Sequence, residues 1–275
     1  MRKKQYLRTL LGWGGLFLSM LLAAPVVAGA EADATAVSKN MIRLPGGEFA
    51  MGSKSGNSDE KPVHTVKLDP FYMDIYEVSQ LEYEEVMENN PSQFKGEDLP
   101  VDSVTWYEAK EYCEKVGKRL PTEAEWEFAA HGGSKKKYFW GDEIDGHFLW
   151  YEGNSGVPVF KIGEKHARIL PLHISRAGGE THPVGQKSSN LFGLHDMSGN
   201  VWEWVWDWYH PKYYKLSKRK NNPGGPKNGK MKVFRGGSWY SGEYQVRTAK
   251  RGAEEPNKRS NSLGFRCALS IPSKP

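Results

Sequence analysis

Two acidic residues on either side of a tight turn are the clearest candidates for chemistry in the sequence. Asp196 and Glu203 flank Gly199-Asn200-Val201. Carboxylates and the main-chain carbonyl oxygens of a turn can together supply the roughly six to eight hard oxygen ligands that Ca²⁺ takes in flexible geometry. We therefore interpret this segment as a candidate calcium site. The alternative is that both acids face solvent.

Tryptophan alternates with other residues directly after this turn, at positions 202, 204, 206 and 208. A spacing of two predicts an extended strand with all four indoles on one face and the carboxylates of Glu203 and Asp207 on the other. Because each indole can bury about 200 Å², we expect the four rings to belong to the core.

Residues 1–30 have the pattern of an export signal. Arg2, Lys3 and Lys4 precede an apolar stretch from 10 to 27, and small residues follow at 28–30. An uncleaved single-span anchor is the alternative. We predict an extracytoplasmic protein, periplasmic or secreted, with no membrane span after signal cleavage. A linker over 31–40, one domain over 41–271 and a tail over 272–275 would follow.

The expected export bears on the oxidation state of the two cysteines. In an oxidising compartment an even number of cysteines favours a disulfide. Cys113 lies in a helical pattern and Cys267 in an apolar C-terminal stretch. A reactive thiol pair is the alternative, but neither position has an obvious activating base or helix end. We predict a structural disulfide between them.

The charge distribution argues against nucleic acid as a partner. The chain has 38 Lys and Arg against 33 Asp and Glu, and four of the cations lie in residues 1–30, which leaves 34 against 33 in the remainder. Binding to a phosphate backbone requires a concentrated cationic surface. No nucleic-acid partner is therefore expected.

The elements that must position these residues are a few helices and many short strands. Helices are predicted over 79–88, over 103–116 and from Thr122, where Glu125 completes a capping box. Short strands are predicted at 41–44, 47–51, 63–68, 71–74, 232–235 and 263–269. The rest is largely Gly- and Pro-rich connections. This pattern indicates an irregular α+β fold.

Five motifs carry a resemblance to a known family. They are Leu44-Pro45-Gly46-Gly47, Lys118-Arg119-Leu120-Pro121-Thr122, Gly199-Asn200-Val201-Trp202-Glu203-Trp204, Arg235-Gly236-Gly237-Ser238-Trp239 and Gly264-Phe265-Arg266-Cys267-Ala268. In this order and spacing the chain, from Met41 to Ala268, resembles the formylglycine-generating enzyme (sulfatase-modifying factor) family. The resemblance implies an irregular, C-type-lectin-like fold.

The resemblance also implies roles for particular residues. Cys113 and Cys267 fall where family members have a structural disulfide. The implied calcium ligands are Asp196, Gly199, Val201 and Glu203, with the two middle residues acting through main-chain oxygens. Residues 157–180 are an insertion relative to the family pattern and therefore a candidate specificity element.

The copper-binding thiolate pair of the family is missing from this sequence. The resemblance implies oxidation of a substrate cysteine by O₂ on copper held by two thiolates shortly after Gly-Gly-Ser. Here residues 239–247 contain no cysteine, and Ser241 takes the place of the first thiolate. A serine hydroxyl cannot replace a soft thiolate on Cu(I). We therefore expect neither copper nor formylglycine formation, and leave iron open.

Two functions remain. The leading hypothesis is a calcium-stabilised domain that binds an unidentified protein or peptide partner, or a substrate, in the former active-site groove. The alternative is an extracytoplasmic oxidoreductase that acts on a peptide or small molecule without the copper thiolates and uses Glu243 as a base. The candidate groove residues are Trp202, Ser238, Tyr240, Ser241 and Glu243.

Overall fold

The computed structural model describes residues 40–156, 179–216 and 221–271. The predicted export signal, the linker up to residue 39, residues 157–178 of the insertion and the tail lie outside the described residues, so these expectations stay predictions. In the described ranges, no helix has the length and apolar character that a membrane crossing requires.

Short strands in the described residues form three sheets. They are β1 (Met41–Leu44), β2 (Gly47–Met51), β3 (His64–Leu68), β4 (Phe71–Asp74), β5 (Trp202–Trp208), β6 (Lys232–Arg235), β7 (Arg251–Glu254), β8 (Leu263–Gly264) and β9 (Ala268–Ser270). One sheet has the order β1-β4-β9, β2 pairs with β3, and the largest has the order β7-β6-β5-β8. Strand β5 is internal, antiparallel to β6 and parallel to β8.

The helices are α1 (Gln80–Met87), α2 (Trp106–Lys115), α3 (Glu123–His131) and the single turn α4 (Tyr213–Leu216). Capping boxes begin the first three, with Ser79, Thr105 and Thr122 as the caps. The predictions for α1 and α3 are thereby confirmed. Helix α2 begins later than predicted because Ser103 has a φ of 59°, in the left-handed region that a helix excludes.

Strand β5 is confirmed as a strand, but not all four of its indoles are buried. Trp204 is fully buried and Trp202 nearly so, whereas Trp206 is 39% exposed and Trp208 is half-buried. The register with β6 shifts between Trp204 and Trp208, and such an irregularity ends strict alternation of the side chains. The prediction of burial was wrong for Trp206.

The predicted strand over 263–269 is in fact two strands in two different sheets. Strand β8 pairs with β5, and β9 pairs with β4. Between them, Arg266 bonds to Glu203 of β5, while the carbonyl of Cys267 accepts from the amide of Asp74 at 2.9 Å. Through these two contacts, the segment between β8 and β9 passes from the sheet that contains β5 to the sheet that contains β4.

The predicted disulfide is confirmed. Cys113 of α2 is bonded to Cys267, with the Cα atoms 5.8 Å apart and the residues separated by 154 positions. Both cysteines are fully buried in a core cluster that also contains Tyr112, Phe265 and Trp204. The bond therefore ties a helix to the segment that connects two of the sheets, in the irregular α+β fold that the sequence indicated.

Candidate functional site

The buried carboxylate of Glu203, at the start of β5, is held by two side chains. Arg266 donates from Nε to Oε2 and from Nη2 to Oε1 of Glu203, at 2.8 Å each. Trp126 of α3 donates from Nε1 to Oε2 of Glu203, also at 2.8 Å. All three side chains are fully buried. Oxygen Oε1 of Glu203 accepts one of these bonds and retains a second lone pair.

Glu77, which follows β4, is a second buried carboxylate in this cluster. Its Oε2 accepts from the side-chain amide of Asn200 at 2.6 Å, and its Oε1 accepts from the main-chain amide of Val201 at 3.1 Å. Burial, followed by the charges of Asp196 and Glu203, raises the pKa of Glu77 well above its usual range. Glu77 lies 123 residues from Asn200, so no local spacing in the sequence could have associated it with this turn.

Asp196 is the third carboxylate. Its Oδ2 accepts from the amide of Gly185 at 2.7 Å, whereas its buried Oδ1 has no hydrogen-bond partner in the described structure. Burial raises the pKa of Asp196. An acceptor that is buried without a partner is costly, and this oxygen is therefore free to bind a cation.

The cluster offers oxygen donors of the type that a hard cation takes. Three carboxylates face the single guanidinium of Arg266, and the oxygens are acceptors of the type that Ca²⁺ prefers. Within residues 40–156, 179–216 and 221–271, no three His, Cys, Asp or Glu side chains are placed to hold a metal ion by themselves. A calcium ion would therefore need the main-chain oxygens of Gly199 and Val201 as well. The calcium assignment stays a prediction.

The turn in this cluster is bonded to the loop that follows β6. The amide of Gly199 donates to the carbonyl of Gly236 at 3.0 Å, and the amide of Trp239 donates to the carbonyl of Asn200 at 2.7 Å. A Cβ atom on Gly199 would lie 2.0 Å from the carbonyl oxygen of Trp150, so this position accepts only glycine. Two main-chain hydrogen bonds thus hold the 236–239 loop against this turn.

Ser238 and Ser241 of this loop are bonded to each other inside the fold. Both are fully buried, and their hydroxyl oxygens are 3.1 Å apart. Oγ of Ser241 also accepts from the main-chain amide of Ser238 at 3.0 Å. Ser241 therefore braces a turn, and neither hydroxyl is open to a substrate.

The other three groove candidates do not form one open groove with these serines. Trp202 is buried, with its ring edge against Phe234 at a centroid distance of 5.0 Å. Tyr240 is 46% exposed. The side chain of Glu243 is exposed, and its carbonyl accepts from the hydroxyl of Tyr138. The predicted set is divided between the core and the surface.

An aromatic surface formed by Phe94, Trp239 and Tyr240 lies on the outside of this loop. The ring of Trp239 meets the edge of Phe94 at 5.5 Å and the edge of Tyr240 at 5.1 Å between centroids. Its Nε1 donates to the carbonyl of Asn261 at 3.1 Å, which fixes the indole. Phe94 and Trp239 were not among the groove residues predicted from sequence.

Comparison with known proteins identifies the family. The profile of the sulfatase-modifying factor enzyme 1-like domain matches residues 27–271. The chain belongs to this family.

Relatives of the sulfatase-modifying factor family differ in their overall length. The chain is 33% identical to a formylglycine-generating enzyme of Streptomyces coelicolor, over 90% of this chain and 96% of that protein. It is 32% identical to the chaperone protein LppX of Paenibacillus barcinonensis, over 93% and 98%. It also matches the serine/threonine-protein kinase pkn1 of Chlamydia caviae, at 32% identity over 92% of this chain, but it spans only 42% of that protein.

The fold of the sulfatase-modifying factor family is also found among solved structures. Treponema denticola variable protein 1 superposes with a TM-score of 0.69 at 28% identity, over 83% of this chain and 94% of that one. This similarity confirms the family fold that the sequence motifs implied.

In this member of the sulfatase-modifying factor family, the disulfide uses both cysteines of the sequence. The sequence contains two cysteines, and both are in the disulfide. The residue that the resemblance aligns with the first copper thiolate is the buried Ser241. The chain therefore has no thiol with which to hold Cu(I).

Proposed function

We propose that this protein is an exported, calcium-stabilised domain that binds a protein or peptide partner and does not make formylglycine. The observation that carries the proposal is the state of the 238–241 loop. Where the resemblance places the first copper thiolate, this chain has Ser241, which is buried and bonded to the buried Ser238. Directly beside them, Tyr240 of the aromatic surface is exposed.

Partly exposed aromatic side chains in contact with each other are typical of recognition surfaces, because they contribute large contact areas with few rotatable bonds. Two hydrogen bonds hold Trp239 in this surface: its amide donates to the carbonyl of Asn200, and its Nε1 donates to the main-chain carbonyl of Asn261. A rigid surface loses less conformational entropy when it binds. The name of LppX, a chaperone protein similar to this chain over nearly its whole length, supports a binding role for the fold.

Calcium, in this proposal, has a structural role. Asp196 and Glu203 would bind it through side chains, and Gly199 and Val201 through carbonyl oxygens. The ion supplies positive charge to a buried cluster that has more carboxylates than guanidinium groups. Because the carbonyl of Asn200 accepts from the amide of Trp239 at 2.7 Å, ordering this turn would also order the aromatic surface.

Site-specific photocrosslinking tests the binding surface directly. A photoreactive phenylalanine analogue would be introduced at Tyr240, or in a matched control at Tyr107, in the full chain expressed in cells that export it. Tyr240 and Tyr107 are 46% and 48% exposed, respectively. We expect a discrete light-dependent adduct from position 240 and none from position 107. Equal labelling at both positions, or no adduct at 240, would refute the proposed surface.

Metal analysis of the purified protein separates this proposal from the oxidoreductase alternative. Calcium as the bound metal, with no O₂ uptake, is the expected result. Stoichiometric copper or iron together with O₂ uptake would overturn the proposal in favour of the alternative, with Glu243 as its candidate base.

A further inference from the structure

A cleft of about 850 Å³ lies on another part of the surface, between β2, the end of α3 and the segment 244–249. It contains neither the aromatic surface nor the carboxylate cluster. Its volume is in the range that holds one drug-sized ligand, about 300–1,000 Å³. Neither function discussed above uses this cleft.

The floor of the cleft is apolar. Phe49 of β2 and Phe128 of α3 line it and contact each other edge to face, with 5.5 Å between ring centroids. Val63 also lines it and is partly exposed. An apolar floor favours the hydrocarbon or aromatic body of a ligand, since burying that surface removes it from water.

The mouth of the cleft is cationic. Lys54 and Lys135 line it, are exposed, and have no ion-pair partner among the described residues. Lys136 is paired with Asp142 at 2.8 Å, and Arg247 is bonded to both oxygens of Glu60. Lys137 also lines the cleft without an ion-pair partner in the described structure, so three unpaired ammonium groups face the single unpaired acid of the rim, Glu48.

His131 also lines the cleft. It is the last residue of α3, and its side chain is 14% exposed. Both ring nitrogens are buried and have no hydrogen-bond partner in the described structure. The nearest acid is Glu127, whose Oε1 lies 3.6 Å from Nε2. Because both nitrogens are shielded, His131 presents the carbon edge of its ring to the cleft and adds to the apolar wall.

From this combination we propose that the cleft binds a small amphipathic anion, an organic carboxylate, sulfonate or phosphate ester with an aromatic or aliphatic body. The body lies on Phe49 and Phe128. The anionic group lies between Lys54 and Lys135. The proposal does not depend on partner binding at the aromatic surface.

Titration with 8-anilinonaphthalene-1-sulfonate, an aromatic anion whose fluorescence reports binding, tests this site. The full-length protein is expected to bind one equivalent saturably, with an affinity that falls as salt is raised. The double variant Lys54→Glu/Lys135→Glu should bind at least tenfold more weakly. The matched control is Lys227→Glu/Lys230→Glu, which makes the same charge change at exposed lysines outside the cleft and should bind as the wild type does.

Two results would overturn the assignment. Equal weakening in the two double variants would show that only net charge matters and that the cleft is not the site. Equally tight binding of the uncharged analogue N-phenyl-1-naphthylamine would show that the anion is not recognised. Inorganic phosphate is expected not to displace the probe at equal concentration, because it has no apolar body; displacement would refute the role of the aromatic floor. Circular dichroism of each variant confirms that it is folded.

Discussion

Ser241 shows how one residue type decides which chemistry a loop can support. Its hydroxyl oxygen accepts from the amide of Ser238 and contacts the hydroxyl of the same residue. A thiolate at this position could have held a soft metal, whereas the serine acts as a structural brace. The two serines are therefore expected to matter for stability, in unequal degree.

Replacing Ser241 with alanine leaves the buried amide of Ser238 without an acceptor, which costs about 1–3 kcal/mol. Ser238→Ala removes only one hydroxyl–hydroxyl bond and should cost about 0.5–1.5 kcal/mol. Urea denaturation of the two variants measures the difference. An equal or greater loss in Ser238→Ala would contradict the assignment of Ser241 as the brace.

Substitution of Asp196 gives the sharpest test of the calcium proposal. Removing calcium with a chelator is expected to lower the free energy of unfolding by about 3–4 kcal/mol if the ion was present at 100 to 1,000 times its Kd. Asp196→Asn should be less stable in calcium and should no longer respond to the chelator. Thermal unfolding with and without calcium measures both effects.

The matched control for this test is Asp102→Asn. Asp102 is also fully buried and also has an oxygen without a hydrogen-bond partner in the described structure, but it lies outside the cluster, where its other oxygen accepts from Gln93 and Ser103. This variant should keep the wild-type response to calcium. Loss of the response in both variants would indicate general destabilisation.

At the scale of the elements, α3 is joined to the largest sheet through buried charges. Glu123 at its first turn accepts from Arg251 of β7 and Arg235 of β6, at 2.6 and 2.8 Å. Although burial raises the pKa of Glu123, these two guanidinium groups lower it to about 2 overall. The amide of Glu123 donates to Oδ2 of Asp207 on β5 at 2.8 Å. Helix and sheet are thus held in one relative position.

Asp207 should make stability depend on pH in the neutral range. Burial, with the charge of Glu123, raises its pKa from 3.8 to about 8. Between these values the folded state holds a proton that the unfolded state has released, so stability falls as pH rises, by up to about 1.4 kcal/mol per pH unit. Asp207→Asn keeps an acceptor for the amide of Glu123 and should remove this fall.

Urea denaturation at pH 5 and pH 8 measures the effect, with the exposed Asp98→Asn as the control. Wild type and Asp98→Asn should lose more stability between these pH values than Asp207→Asn does. The same pH dependence in all three proteins would contradict an elevated pKa at Asp207.

Local signals explain which elements could be predicted from the sequence. The caps Ser79 and Thr122 have their glutamate partners three residues later, so the starts of α1 and α3 are visible within one turn. The turn between Asp196 and Glu203 is equally local. Elements that depend on contacts between distant residues could not be predicted in this way. The bond from Arg266 to Glu203 spans 63 residues, and it is one of the contacts that divide the predicted strand 263–269.

The candidate binding site was predictable only in part, for the same reason. Sequence placed Tyr240 in the site but missed Phe94, which meets Trp239 from a segment more than a hundred residues earlier. The burial of the two serines could not be predicted from the sequence either. Their position in the chain suggested that Ser238 and Ser241 line a groove, whereas both are buried in the fold and bonded to each other. The residue types indicated which chemistry the loop could support, whereas the packing of the fold determined which of these side chains are exposed to solvent.

For the molecule as a whole, the disulfide is the main covalent constraint. It closes a loop of 154 positions between α2 and the connection to β9. The double variant Cys113→Ala/Cys267→Ala is expected to lose about 2–5 kcal/mol of stability, measured by urea denaturation under non-reducing conditions. A reductant should destabilise the wild type similarly and leave the variant unaffected. Full stability of the variant would contradict a structural role for the bond.

We infer that this domain has kept the family fold without the copper chemistry. The most direct test is to incubate the purified protein with copper, O₂ and a sulfatase-derived peptide containing the target cysteine, and to follow the peptide by mass spectrometry. The Streptomyces coelicolor enzyme is the positive control. We predict that this protein leaves the cysteine unchanged while the control converts it. Repeated turnover of the cysteine to the aldehyde by this protein would contradict the account.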